Sequence, residues 1–138
     1  MSDHPVSKSE ERTLLRKLIF WSVNELADLP LQRRTWLNPP TPSPHWTYVE
    51  FCCSYPDFEQ LTFYRDHNII SADEFEALTP LYDAIIAHAP PGSRLYDHVA
   101  ILDDPAWHEV VALAERVRQR IIALVSDPDE RQCLMDLA

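Results

Sequence analysis

The chain holds twelve prolines and a single glycine among its 138 residues, and that imbalance narrows its possible folds more than any other feature. Glycine supplies the positive-φ turns of tight hairpins and of loops that cradle phosphate. With one glycine, a β-meander, a P-loop and a Rossmann fold are all disfavoured. Proline, by contrast, opens helices at their first position and stiffens the segments between them. The expectation is all-α: a compact bundle of about five to seven helices joined by proline-rich connectors. The alternative is α+β, with a short strand pair near 45–55. The length suits one domain with a core of its own, so residues 1–8 read as a flexible tail and 9–138 as a single helical domain.

Helical periodicity and capping signals place the elements. Leu14, Leu15, Leu18, Ile19, Ser22, Val23 and Leu26 follow one face of a 3.6-residue repeat, with Glu10 and Glu11 suited to its start. Asp28 then caps a short helix through Pro30, Gln32 and Trp36. Asn38-Pro-Pro-Thr-Pro-Ser-Pro44 is a stiff, extended connector. Residues 45–55 are rich in aromatic and β-branched side chains, which suits a strand. Yet Trp46, Val49 and Cys53, and Tyr48, Cys52 and Tyr55, keep helical spacing, Ser43-Pro44 resembles a helix start, and a lone strand has no mate. Helix is the better reading.

A short helix through Phe58, Leu61, Phe63 and Tyr64 follows, opened by Ser54 or Asp57 and ending near His67. Ser71-Ala-Asp-Glu74 is a capping box for a helix carrying Phe75, Leu78, Leu81, Tyr82, Ile85 and Ile86, with Pro80 able to kink it. After Ala89-Pro-Pro-Gly92, a short helix covers about Leu95–Leu102. Asp104-Pro105 opens the clearest helix, whose apolar face is Trp107, Val110, Val111, Ala114, Val117, Ile121, Leu124 and Val125. Asp127-Pro128 opens the last, ending in Leu134, Met135 and Leu137.

No catalytic constellation emerges, and an enzyme is not expected. His88, His98 and His108 recur every ten residues but on different elements, without the close spacing of a zinc site, so neither metal nor cofactor is implied. Asp104 and His108 can pair locally across one helical turn, but no nucleophile at motif spacing completes a triad. Adjacent Cys52-Cys53 and Cys133 read as core-filling thiols of a reducing compartment. Arg116 and Arg120 share a face while Arg118 points away, which is a solvated surface rather than a nucleic-acid stripe. Trp36 and Trp46 flank the proline run and either pin it by packing or form an interface hot spot.

Charge is the strongest functional signal. The net charge is −10, and residues 45–110 carry all of it: twelve carboxylates against Arg65 and Arg94. Free nucleic acid and anionic membrane are poor partners for that field, and a basic protein is a good one. The candidate contacts are Glu50, Asp57, Glu59, Asp66, Asp73, Glu74, Glu76 and Asp83. Arg33 and Arg34 then read as internal counter-charges to this sector. Without an apolar run long enough to span a bilayer and with a polar start, a cytoplasmic location is expected.

Leu26-Ala-Asp28…Gln32-Arg-Arg-Thr-Trp36, Ser71-Ala-Asp-Glu74 and Leu102-Asp-Asp-Pro105-Ala-Trp107 resemble a family of short bacterial cytoplasmic proteins of unassigned function. In that family an Asp-x-x-x-Gln-x-x-x-Trp element follows the first helix and an Asp-Pro-x-Trp element opens the last. The likeness spans about residues 12–125 and departs at 45–68, where the family is more acidic and less cysteine-rich. It implies no catalytic residues. In size and charge such proteins are similar to toxin-neutralising immunity proteins, so the expected function is occlusion of a basic toxin domain, such as a nuclease, through an acidic face. The alternative is a small regulatory or adaptor protein that acts by self-association, as a homo-oligomer, or by partner binding, using the Trp36–Trp46 region.

Overall fold

The computed structural model describes residues 8–37 and 47–135. The chain begins in helix α1, Lys8–Leu26, and turns at Ala27-Asp28 into α2, Leu29–Leu37. Asp28 accepts the Leu31 amide at 3.0 Å, so the expected cap forms. Next come α3, Tyr48–Ser54, and α4, Phe58–Asp66. The expected helix near 45–55 is α3, capped by Thr47 rather than Ser43. The α+β alternative falls, because no strand occurs among the described residues. The proline connector, Trp46, residues 1–7 and Leu137 lie outside them.

Capping boxes at Asp57 and Ser71 start α4 and α5, Ala72–Ala87, with both reciprocal bonds present in each. Helix α5 runs on through Pro80 to Ala87. A 3-10 turn, Pro91–Ser93, holds the single glycine at φ 62°, a left-handed conformation that L-residues adopt at a cost. The five-residue α6, His98–Leu102, leads to α7, Pro105–Leu124, with Asp104 as cap and Pro105 at the first position. Helix α8, Pro128–Met135, closes the described chain. This is the expected all-α bundle.

Helix α7 is central. One side packs on α1 and the other on α5, while α8 folds back across α1, α4 lies on α5 and α6 on α2. Phe20, Val23, Leu26, Leu61, Leu78, Leu81, Ile101, Leu102, Trp107, Ala114, Ile121 and Leu134 are fully buried between them. Each large member contributes about 1.5–3 kcal/mol through burial.

Four expectations about burial are corrected. On α1 the inward side is Arg16, Ile19, Phe20, Val23 and Leu26, while Leu14 and Leu18 face outward with Trp21. Apolar residues run most of the way round this helix, and periodicity alone does not choose the side that meets α7 and α8. Leu124 and Ile86, at the ends of their faces, and Met135 are exposed. Phe58 and Phe63 are half-exposed, because α4 packs mainly on one neighbour, α5. Cys53 is exposed and Cys52 half-buried, leaving Cys133 as the buried thiol. Trp36, by contrast, is buried against Tyr48, Phe51 and Trp107, in keeping with the packing reading rather than the interface alternative.

Candidate functional site

The acidic candidates separate by helix geometry. Asp57, Glu59, Asp66, Asp73, Glu76 and Asp83 are exposed, Glu50 is half-buried and Glu74 is buried. On α5, Asp73, Glu76 and Asp83 stand at i, i+3 and i+10, so they form one outward stripe with exposed Pro80. On α4, Glu59 and Asp66 lie two turns apart, with Phe63 between them at 52% exposure. Because α4 lies on α5, the two acidic stripes belong to neighbouring helices.

The one arginine on these two helices is already engaged. Arg65 holds Asp66 at 3.1 Å and places its guanidinium 4.4 Å from the centre of the Phe75 ring. Two candidates serve caps as well: Asp57 accepts the Gln60 amide at 2.8 Å, and Glu50 accepts the Thr47 hydroxyl.

Glu74 is not a contact residue. It is 4% exposed, and its two carboxylate oxygens accept from the Arg16 guanidinium at 2.7 Å each. Arg16 also donates to Glu130 at 3.0 Å and to the Ile69 carbonyl at 2.8 Å. One buried cation therefore ties α1 to α5, α8 and the loop after α4. Burial would raise the Glu74 carboxyl, but the Arg16 hydrogen bonds and the Ser71 amide outweigh it and hold it below the ordinary value. The buried counter-charge is Arg16, while Arg33 pairs with Asp103 of the acidic sector at 3.9 Å with both side chains well exposed.

A second buried network was not foreseen. Tyr48, His88 and Asp104 form a hydrogen-bonded chain, with 2.8 Å from the Tyr48 hydroxyl to His88 Nδ1 and 2.9 Å from His88 Nε2 to Asp104. A carboxylate only accepts, so His88 Nε2 donates to Asp104, and the bond between Nδ1 and the phenol completes the chain. Asp104 thus caps α7 through the Ala106 amide and anchors the residue that ends α5. His108 lies near enough to Asp104 to act on its charge, but its ring is bonded to the Leu102 carbonyl and His88 takes the carboxylate. Burial pushes the Tyr48 phenol up and raises the Cys52 thiol to about 12, so neither is primed to ionise.

Beside this chain the two short motif elements meet. The Trp107 indole donates to Gln32 Oε1 at 2.9 Å, and the Trp36 and Trp107 rings lie 5.8 Å apart. The Gln32 amide group donates to the carbonyls of Glu25 and Leu26, closing the end of α1. The Leu26–Leu37 stretch is a clasp between the first and seventh helices.

At the surface, a cleft of about 530 Å³ opens where the start of α1 meets the end of α4, lined by Glu11, Arg12, Phe63, His67, Asn68 and Ile69. Arg12 donates to the Asn68 carbonyl at 2.8 Å across its floor. The Phe63 and His67 rings stack with centroids 3.9 Å apart. No group of three or more metal-ligating side chains converges among the described residues, and no helix there is long and apolar enough to cross a membrane. Compared with protein families, curated proteins and solved structures, the chain matches none significantly.

Proposed function

We propose that this chain is a non-enzymatic, cytoplasmic binding protein that docks a basic protein on the acidic α4–α5 face. The toxin-neutralising form of this reading makes that partner a basic toxin domain whose active site the face covers. The observation that carries it is the pair of outward stripes, Glu59–Asp66 on α4 and Asp73–Glu76–Asp83 on α5, with one arginine already engaged among them. Such a field speeds encounter with a positive surface and rejects polyanions. Half-exposed Phe58 and Phe63 beside the carboxylates supply apolar contact, which charge alone lacks. The buried Tyr48–His88–Asp104 chain supports a structural role over a catalytic one, since its phenol is buried and held protonated.

The test reverses Glu59, Asp66, Glu76 and Asp83 to lysine together. The partner recovered by the wild-type chain from native lysate at low salt should be lost by this variant. With the purified partner, the association rate should fall by at least about tenfold and lose most of its salt dependence. Unchanged association kinetics would rule out the acidic face as the interface.

A further inference from the structure

Helices α5 and α7 leave an open groove on their outward side. A cleft of about 380 Å³ lies in it, floored by Ala84 and Ala87 of α5 and by Ala106, Val110 and Leu113 of α7. His88 forms part of the wall, but both its ring nitrogens are already bonded, to Tyr48 and Asp104. Because His88 ends α5 and Asp104 caps the start of α7, these two packed helices run antiparallel, and the groove extends away from that end.

Each rim carries its own charge. Along α5, Asp73, Glu76, Pro80, Ala84 and Ala87 stand at i, i+3, i+7, i+11 and i+14, with Asp83 one turn before Ala87. Along α7, Glu109, Leu113, Arg116 and Arg120 stand at i, i+4, i+7 and i+11. Glu109 and Arg116 line the cleft itself, two turns or about 10.5 Å apart. The charged side chains of both rims are exposed, and none of them is in an ion pair among the described residues. The α5 rim is acidic throughout, whereas the α7 rim is acidic at Glu109, near the His88 end, and basic at Arg116 and Arg120. The two rims face each other across an apolar floor without closing on it.

We propose that the α5–α7 groove takes a helix of the partner whose two flanks differ in charge, with lysine or arginine over the α5 rim and carboxylates over Arg116 and Arg120. This rests on the basic-partner reading above and names the element of the partner that is recognised. Glu109 adds one further cation, at the cleft end of the second flank. A helix basic on both flanks fits poorly, because it satisfies α5 while setting cations against Arg116 and Arg120. The alanine floor lets a helix backbone approach closely, and a convex helix fills a concave groove. A second copy laid groove on groove would instead face hollow with hollow and leave both unfilled, forfeiting packing contacts.

The experiment uses the full chain and fluorescein-labelled helical peptides of alanine and leucine, read by anisotropy at about 0.15 M salt, where distant charges are screened. The matched peptide carries lysine on one flank and glutamate on the other, the second carries lysine on both, and the third is a scramble of the first. The matched peptide should bind at least about tenfold more tightly than either of the others. Arg116→Glu with Arg120→Glu, at exposed sites, should reverse the order and favour lysine on both flanks. Filling the cleft by Ala87→Gln with Ala106→Gln, also at exposed sites, should weaken the matched peptide at least about tenfold. Glu59→Lys with Asp66→Lys, on α4, should leave it within about twofold. Equal binding of the matched and scrambled peptides, or an order of preference that Arg116→Glu with Arg120→Glu leaves in place, would overturn the groove. In that event, loss of the native partner by the fourfold reversal would leave the acidic face standing, and retention of the partner would overturn both. Concentration-dependent self-association abolished by the cleft-filling pair would assign the groove to a second copy and overturn the partner helix.

Discussion

Replacing Glu74 by alanine is the sharpest test of how the bundle is held. The change removes two 2.7 Å charge-assisted hydrogen bonds to Arg16 and the 2.8 Å bond from the Ser71 amide. Both charged side chains are almost fully buried, and breaking such a pair costs about 3–5 kcal/mol by stranding the remaining charge. Arg16 keeps Glu130 at 3.0 Å and the Ile69 carbonyl at 2.8 Å, which places the loss near 3 kcal/mol, in the low part of that range. Loss of the capping box adds about 1 kcal/mol. A total of about 4 kcal/mol is a large fraction of the stability of a domain this size and lowers Tm by roughly 10–15 °C.

Thermal and urea unfolding followed by circular dichroism measure it, with an unchanged m-value confirming that the native state alone is affected. Glu76→Ala, an exposed neighbour on the same helix, is the control and should stay within about 0.5 kcal/mol. Equal melting of the two variants would refute the buried-hub reasoning. The pH dependence has a definite sign. A depressed carboxyl stabilises above its unfolded value of about 4.3 and loses that contribution as pH falls below it. The gap between wild type and Glu74→Gln should therefore be widest near neutrality and close in acid.

Three further outcomes test the other networks. Gln32→Leu strands the Trp107 indole N–H and two carbonyls at the end of α1, and should cost about 1–3 kcal/mol in denaturant titration. The His88 hydrogen bond, with help from the Ala106 amide, holds the Asp104 carboxyl below its ordinary value. Asp104→Asn should therefore lower Tm at neutral pH, with the difference shrinking below the unfolded value of about 3.9. At Gly92 an added Cβ would meet only the Arg94 side chain, at 3.8 Å. Gly92→Ala should then show the backbone cost of φ 62° alone, about 1–2 kcal/mol in Tm-derived stability.

Much of the fold was legible because its signals are local. Asp28, Asp57, Ser71, Asp104 and Asp127 each accept an amide two or three residues onward, and such a cap is complete within one turn of chain. Scarce glycine and helical spacing led to the all-α class for the same reason. The carboxylates of α4 and α5 were legible as a charged sector, though charge counting could not tell Glu74, facing Arg16, from Glu76, facing water. Glu74's place in a capping box was visible, and its distant partner was not.

Long-range pairing is where sequence reading stopped. Arg16 finds Glu74 and Glu130 at separations of 58 and 114 residues, and Trp107 finds Gln32 across 75. His88 takes the Asp104 that seemed destined for His108. Nothing in a helical period says which face of α1 meets α7, because leucine, isoleucine and phenylalanine run most of the way round it. Packing decided that Phe20 and Val23 turn inward with Arg16, and that Leu14, Leu18 and Trp21 remain in water. The sequence by itself determined the helices, most of their caps and the acidic sector, since each depends on neighbours within a turn or on composition. Only the tertiary structure decided which charges are buried and which apolar side chains are left for a partner, since both depend on the surfaces that close against each other.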